Sequence, residues 1–170
     1  MANELFNPSR LLAVLQDLAK DVETNYKEHL EQHDRIASGD LLRSISTEIE
    51  VKGTTYTVYL NLADYWKYVE EDTKPHWPPK DAIDKWIFIK PVIPRPDDKG
   101  HLPTPEQLSF LIRRKIAGLA PDGQGGYKPG GTIGTHDLRD AKAEVLDKYE
   151  QKLLDALERD TLEYIEKITP

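Results

Sequence analysis

His29 and His33 stand four residues apart in a stretch whose apolar residues recur at helical spacing, so both imidazoles fall on one helix face. Such a pair can grip a divalent metal. The zinc-protease version of the pattern places a glutamate directly after the first histidine, where this chain has Leu30. Leu30 belongs to the apolar stripe of that helix, which turns its neighbours toward solvent, and no metal site is expected here. The glycines between 123 and 134 invite a phosphate-cradle reading. However, the nearby Lys128 is followed by Pro129 rather than by Ser or Thr, and no apolar strand leads into the loop. Glu70, Glu71 and Asp72 form a carboxylate run without a partner base or nucleophile motif, which suits a solvated helix end better than acid–base work. His76, His101 and His136 are isolated in Pro- or Gly-rich stretches. The chain has no cysteine, which excludes disulfides, thiolate metal sites and thiol nucleophiles together and fits a reducing cytoplasm. The sequence therefore points to no catalytic residue, no metal and no cofactor, and to a protein that is not an enzyme.

The elements that would carry these residues read as follows. Asn7-Pro8 reads as a helix start, with Asn7 as cap. Leu11, Leu15, Leu18, Val22, Tyr26 and Leu30 then mark an amphipathic helix of about 25 residues. Ser38–Ile45 is a break followed by one short turn. Ile49 and Val51, then Tyr56, Val58 and Leu60, alternate with polar residues around Lys52-Gly53, which predicts a β-hairpin over about 46–61 with one buried face. Ala82, Ile83, Trp86 and Ile87 give a short helix that Pro91 must end. Five prolines between 91 and 105 mark an exposed excursion. Thr104-Pro105 opens a helix to Ala117 with Leu108, Leu111, Ile112 and Ile116 inward, and most of the glycines then cluster in a segment expected to be a flexible loop. Asp137 caps a last helix of about 30 residues. The fold class expected is α+β: long amphipathic N- and C-terminal helices on a small antiparallel sheet, with short helices and long Pro/Gly-rich loops, in a single domain spanning 1–170.

Tyr65–Pro79 is the most distinctive stretch. Four aromatics and three prolines in fifteen residues make a short helical turn broken at Thr73-Lys74-Pro75, followed by the stiff extended segment His76-Trp77-Pro78-Pro79. A rigid aromatic elbow suits docking against another surface. Trp66 and Trp86 are expected in the core, with Trp77 at least partly engaged by a loop or partner. Charge is also unevenly spread. The first 73 residues hold 14 acidic against 7 basic side chains, residues 74–115 hold nine basic against five acidic, and the remainder is acidic again. A basic middle can meet an acidic neighbour, while the overall acidity argues against a duplex-DNA binder. No apolar run approaches the length of a membrane span, and the first ten residues lack the basic start and apolar core of a signal peptide.

In order along the chain, four segments resemble the bacteriophage and prophage family of small tail-completion, or head–tail joining, proteins. Ser38-Gly39-Asp40-Leu41-Leu42-Arg43-Ser44-Ile45 is similar to that family's turn into the hairpin. Tyr65–Pro79 is similar to its Tyr-x-x-x-Val-Glu-x-Gly-Thr-x-Pro-His elbow, with the Ala82–Ile87 helix after it. Gln107–Gly118 matches its amphipathic helix with a basic end, and Thr135–Ala141 sits where the family has a Phe-Leu-Arg-Pro-Ala segment. Asp72 stands where the family has glycine, and 91–104 and 119–134 are longer than usual. The resemblance implies a non-enzymatic virion protein, assembled in the bacterial host cytoplasm, that forms a homo-oligomeric ring at the neck. Its implied partners are a portal, adaptor or stopper protein and tail-tube proteins, with DNA passing through the channel without specific binding and no membrane association. Candidate subunit-interface residues are Thr73, Lys74, Pro75, His76 and Trp77 in the elbow, with Arg113, Arg114 and Lys115 at the basic helix end. The loops at 91–104 and 119–134 are expected to be mobile until assembly orders them. The alternative reading is a cytoplasmic, non-enzymatic interaction module that binds through the elbow.

Overall fold

In the computed structural model, which describes residues 8–90, 92–122 and 124–169, six helices accompany one two-stranded antiparallel sheet. The fold is α+β. Helices are α1 Ser9–Gln32, α2 Asp40–Ser44, α3 Trp66–Glu70, α4 Lys80–Ile89, α5 Pro105–Ile116 and α6 Asp137–Ile168; strands are β1 Ser46–Lys52 and β2 Thr55–Asn61. Asn7 and Pro91, to which the sequence assigned a cap and a helix stop, lie outside the described residues. The chain divides into two compact units. One gathers the segments up to Arg35, Leu41–Asp64 and Asp137 onward; the other comprises Ile36–Asp40 and Tyr65–His136. Because the first unit is drawn from three separate segments, no linker composition marks the partition.

The first unit is built on α1 and α6, which run antiparallel. Arg10 meets Asp160, Asp21 meets Tyr149, Asn25 meets Ala141, and His33 meets Asp137. The apolar stripe of α1 explains this pairing: Leu18, Val22, Tyr26 and Leu30 are all buried, as are Ala141, Val145 and Tyr149 on α6. Leu60 of the hairpin packs against the cluster of Leu18, Val22, Val145 and Tyr149. Lys52 pairs with Thr55, so the hairpin turns over Gly53-Thr54, with Gly53 in the left-handed region at φ 61°. The Ser38–Ile45 motif has a clear local role in its second half. Ser44 Oγ donates to Leu41 O at 2.7 Å and accepts from Ala63 N at 2.8 Å, holding the turn to the exit of β2, while Leu41 and Ile45 are buried.

Pro8 occupies the N-cap of α1 and offers no side-chain cap. The exposed amides of the first turn are met from α6. Asp160, its side chain 1% exposed, accepts from Leu11 N at 2.8 Å, Arg10 N at 3.4 Å and Arg10 Nη1 at 3.1 Å. A carboxylate so placed satisfies orphan donors and faces the positive end of the helix dipole.

Trp86 is not a core residue. It is 39% exposed, Trp66 is half-buried, and none of the α4 side chains is fully buried. The core instead follows the α1–α6 stripe, where Leu, Val and Tyr recur on one face.

Candidate functional site

The second unit assembles the elbow, α5 and the glycine-rich segment. The helical turn α3 ends at Glu71, whose backbone is extended. Its last carbonyls are taken by the chain beyond the glycines: Thr135 N donates to Val69 O and His136 N to Glu70 O, each at 3.1 Å. Thr73 then forms an antiparallel bridge with Thr132, its N–H donating to Thr132 O at 2.9 Å, its Oγ1 accepting from Thr132 N at 2.9 Å and lying 2.8 Å from Thr132 Oγ1. Asp72 has a purpose in this bridge, since its Oδ1 accepts from Gly134 N at 2.8 Å.

The glycines in this region are required by close approach. A Cβ at Gly131 would lie 2.0 Å from Thr73 O, and one at Gly134 2.2 Å from Glu70 O. Backbone cannot yield to such overlap, so two strands of chain pass at a distance that only glycine permits. The described residues between 119 and 134 thus make specific backbone contacts with the elbow and with one another. Lys128 N donates to Ala120 O, and the Asp122 carboxylate, accepting from the Gln124 and Gly126 amides, is held below its ordinary pKa by those bonds. The 91–104 excursion carries a similar local lock. Asp97 Oδ1 accepts from the amides of His101 and Lys99, and the His101 amide is the main cause of its lowered pKa.

From Lys74 onward the elbow is seated on α5. The Thr104 N-cap, in a capping box with Gln107, starts this helix, and three consecutive cations finish it. Trp77 stacks edge-on against Phe110 at 6.0 Å between ring centroids, and the Arg113 guanidinium sits 4.9 Å over the Trp77 ring while its Nε donates to Pro78 O at 2.9 Å. His76 N and Gly131 N both donate to Ile116 O, the terminal carbonyl of α5, and His76 Nδ1 lies 2.9 Å from Lys74 O. Arg114 Nε donates to Leu119 O at 2.9 Å.

The structure thus brings the two sequence-selected groups, Thr73–Trp77 and Arg113–Lys115, into one neighbourhood. Trp77 is engaged by α5 yet 44% exposed, and Lys74, Pro75, His76 and Lys115 are exposed. Arg113 and Arg114 are half-buried and each bonds a backbone carbonyl of its own unit. Beside Phe110 an open groove of about 800 Å³ runs past Arg95, His101, Leu102 and Leu111. An aromatic centre with an Arg stacked on it and cations at its border is a composition enriched at protein–protein contacts. The roles of Phe110, Thr132, Gly131 and Gly134 escaped the sequence reading, because their partners lie far away in the chain.

On the first unit, the expected orientation of the histidine pair is also corrected: the His29 side chain is only 15% exposed, whereas His33 is 53% exposed. No helix among the described residues is long and apolar enough to cross a membrane. Comparison of the chain with protein-family models, with curated proteins and with solved structures finds no match.

Proposed function

We propose that this chain is a structural subunit of a tailed-phage neck, a member of a head–tail connector or tail-completion ring that acts without enzymatic chemistry. The observation that carries the reading is the elbow seated on the basic end of α5. Two of the four segments that resemble the tail-completion family, separated by some thirty residues of chain, form one braced aromatic and cationic surface. Exposed apolar side chains give further support. Tyr68 is 72% exposed and Phe88 88%, and α6 leaves Leu146, Leu154, Leu162 and Ile168 about half uncovered beside its buried stripe. A subunit of a closed ring needs two different faces that meet head to tail, and such side chains suit burial between neighbours.

The test uses Lys74 and Lys115, because reversing Arg113 or Arg114 would break bonds that hold the unit itself. Light-scattering mass is measured for the purified protein, alone and mixed with the products of the genes flanking its own. A ring or a defined complex is expected, and Lys74→Glu/Lys115→Glu should weaken it in a salt-dependent way with the circular dichroism spectrum unchanged. A wild-type protein that stays monomeric in every mixture overturns the neck reading. Normal assembly of the double variant overturns the elbow's part in it.

A further inference from the structure

We propose that His29, His33 and Asp137 form a binding site for a divalent transition metal of the zinc type. The fold supplies what the sequence lacked. His29 lies in the last turn of α1, His33 is the residue that ends that helix, and Asp137 opens α6, which runs antiparallel to it. One ligand atom from each of the three lies within 4.8 Å of the others. Two nitrogens and one carboxylate oxygen are a donor set that zinc and its neighbours accept, leaving a fourth position for water or an incoming group.

Three further features point the same way. Asp137 is 1% exposed, and its Oδ1 is 2.5 Å from His33 Nδ1, so a carboxylate has been drawn out of water beside two imidazoles. His29 Nδ1 is buried without a hydrogen-bond partner. Its other nitrogen, Nε2, lies 3.5 Å from Glu144 Oε2, and Glu144 is held in turn by Asn25 Nδ2 at 3.0 Å. A histidine that coordinates a metal through one nitrogen commonly donates its other N–H to a carboxylate, and Glu144 occupies that position. Metal–ligand bonds of about 2.0–2.1 Å put tetrahedral ligands about 3.3 Å apart. The ligand atoms of the three residues, within 4.8 Å of one another, would have to close by at most about 1.5 Å to reach that value. The His33–Asp137 contact would open by less than an ångström as the metal replaced the shared proton. The bound ion would clasp the C-terminal end of α1 to the start of α6.

The experiment uses untagged full-length protein, stripped with chelator and titrated with ZnCl2 by calorimetry, and with CoCl2 while recording visible absorption. One ion per chain is expected, with cobalt bands of a low-coordinate nitrogen/oxygen site. The melting temperature should rise by about 5–10 °C at a hundredfold excess of zinc over Kd. His29→Gln and His33→Gln should each abolish the stoichiometric site, Glu144→Gln should weaken it by about 10–100-fold, and His101→Gln should leave it intact. Absence of a one-to-one site in the wild-type protein overturns the assignment without reference to any variant. Binding at wild-type strength by either His29→Gln or His33→Gln also overturns it.

Discussion

Replacing Asp160 with alanine tests how the two long helices are held. Its carboxylate is the only side chain among the described residues seen to accept from the first-turn amides of α1, through Leu11 N at 2.8 Å and Arg10 N at 3.4 Å, and it also receives Arg10 Nη1. Loss of an N-terminal cap costs about 0.5–2 kcal/mol. Loss of a partly buried charge at the helix terminus adds up to about 2 kcal/mol. The Arg10 guanidinium keeps a second partner, Glu163 at 2.5 Å, so no cation is stranded. At mid-range the two come to about 2–3 kcal/mol, or a melting point lower by about 5–10 °C for a chain of this size. Asp160→Asn should lose roughly half as much, since an amide oxygen still accepts from Leu11 while the charge is gone. Glu163→Gln touches two exposed ion pairs, to Arg10 and Lys167, and should leave the unfolding midpoint nearly unchanged. Urea and thermal unfolding followed by circular dichroism at 222 nm read all three. If Asp160→Ala fell within about 0.5 kcal/mol of wild type, the cross-helix cap would be a geometric coincidence and the reasoning would fail.

Two further predictions concern the other unit and the pH response. Gly134→Ala should force apart the Glu70 carbonyl and the glycine segment, costing about 1–3 kcal/mol and opening residues 66–73 to proteolysis. Gly100→Ala, left-handed but in open space, should cost only about 1–2 kcal/mol of local strain; equal protease sensitivity of the two variants would refute the close-approach argument. Tyr149, buried and donating to Asp21 at 2.8 Å, has its hydroxyl pushed up to about 12 by burial first and that bond second. Its contribution to stability is therefore complete below the ordinary tyrosine pKa of about 10 and is lost as pH climbs through the folded value. Titration at 295 nm should show one late-ionising tyrosine that Tyr149→Phe removes, and ionisation of every tyrosine near pH 10 with the fold intact would contradict it.

The helices α1 and α6 and the hairpin were legible because their signals are local. A stripe at three-to-four spacing or an alternation around a glycine turn needs nothing from distant chain. Thr104-Pro105 with Gln107 three residues on was legible for the same reason. What stayed hidden was set by tertiary contact. Trp86 has the composition of a core residue but sits on a helix whose apolar face is only half covered. The 118–134 glycines look like freedom because sequence does not reveal what passes beside them; Thr73 O and Glu70 O occupy the space a Cβ would need. His29 and His33 lacked a third ligand because Asp137 lies 104 residues beyond His33. The elbow and the basic helix end were each singled out from sequence, but the Arg113–Trp77 stacking that unites them follows from the path of α4 and the proline excursion, whose course no short motif encodes.

The antiparallel pairing of α1 with α6 also sets an order of events on the ribosome. Leu18 and Val22 cluster with Val145 and Tyr149 of α6, so α1 is synthesised more than a hundred residues before that helix, and of the hairpin only Leu60 packs against the cluster. Closing so long an interval adds chain entropy to the barrier and slows folding. The unit from Tyr65 to His136 has its contacts within one continuous stretch, apart from a short segment made earlier, and it can complete while α6 is still being translated. Throughout that interval the part of the α1 stripe that α6 covers, with its leucine, valine and tyrosine, lacks its helical partner. Chaperone engagement during synthesis should therefore centre on α1, and truncations upstream of Ala141 should aggregate through it.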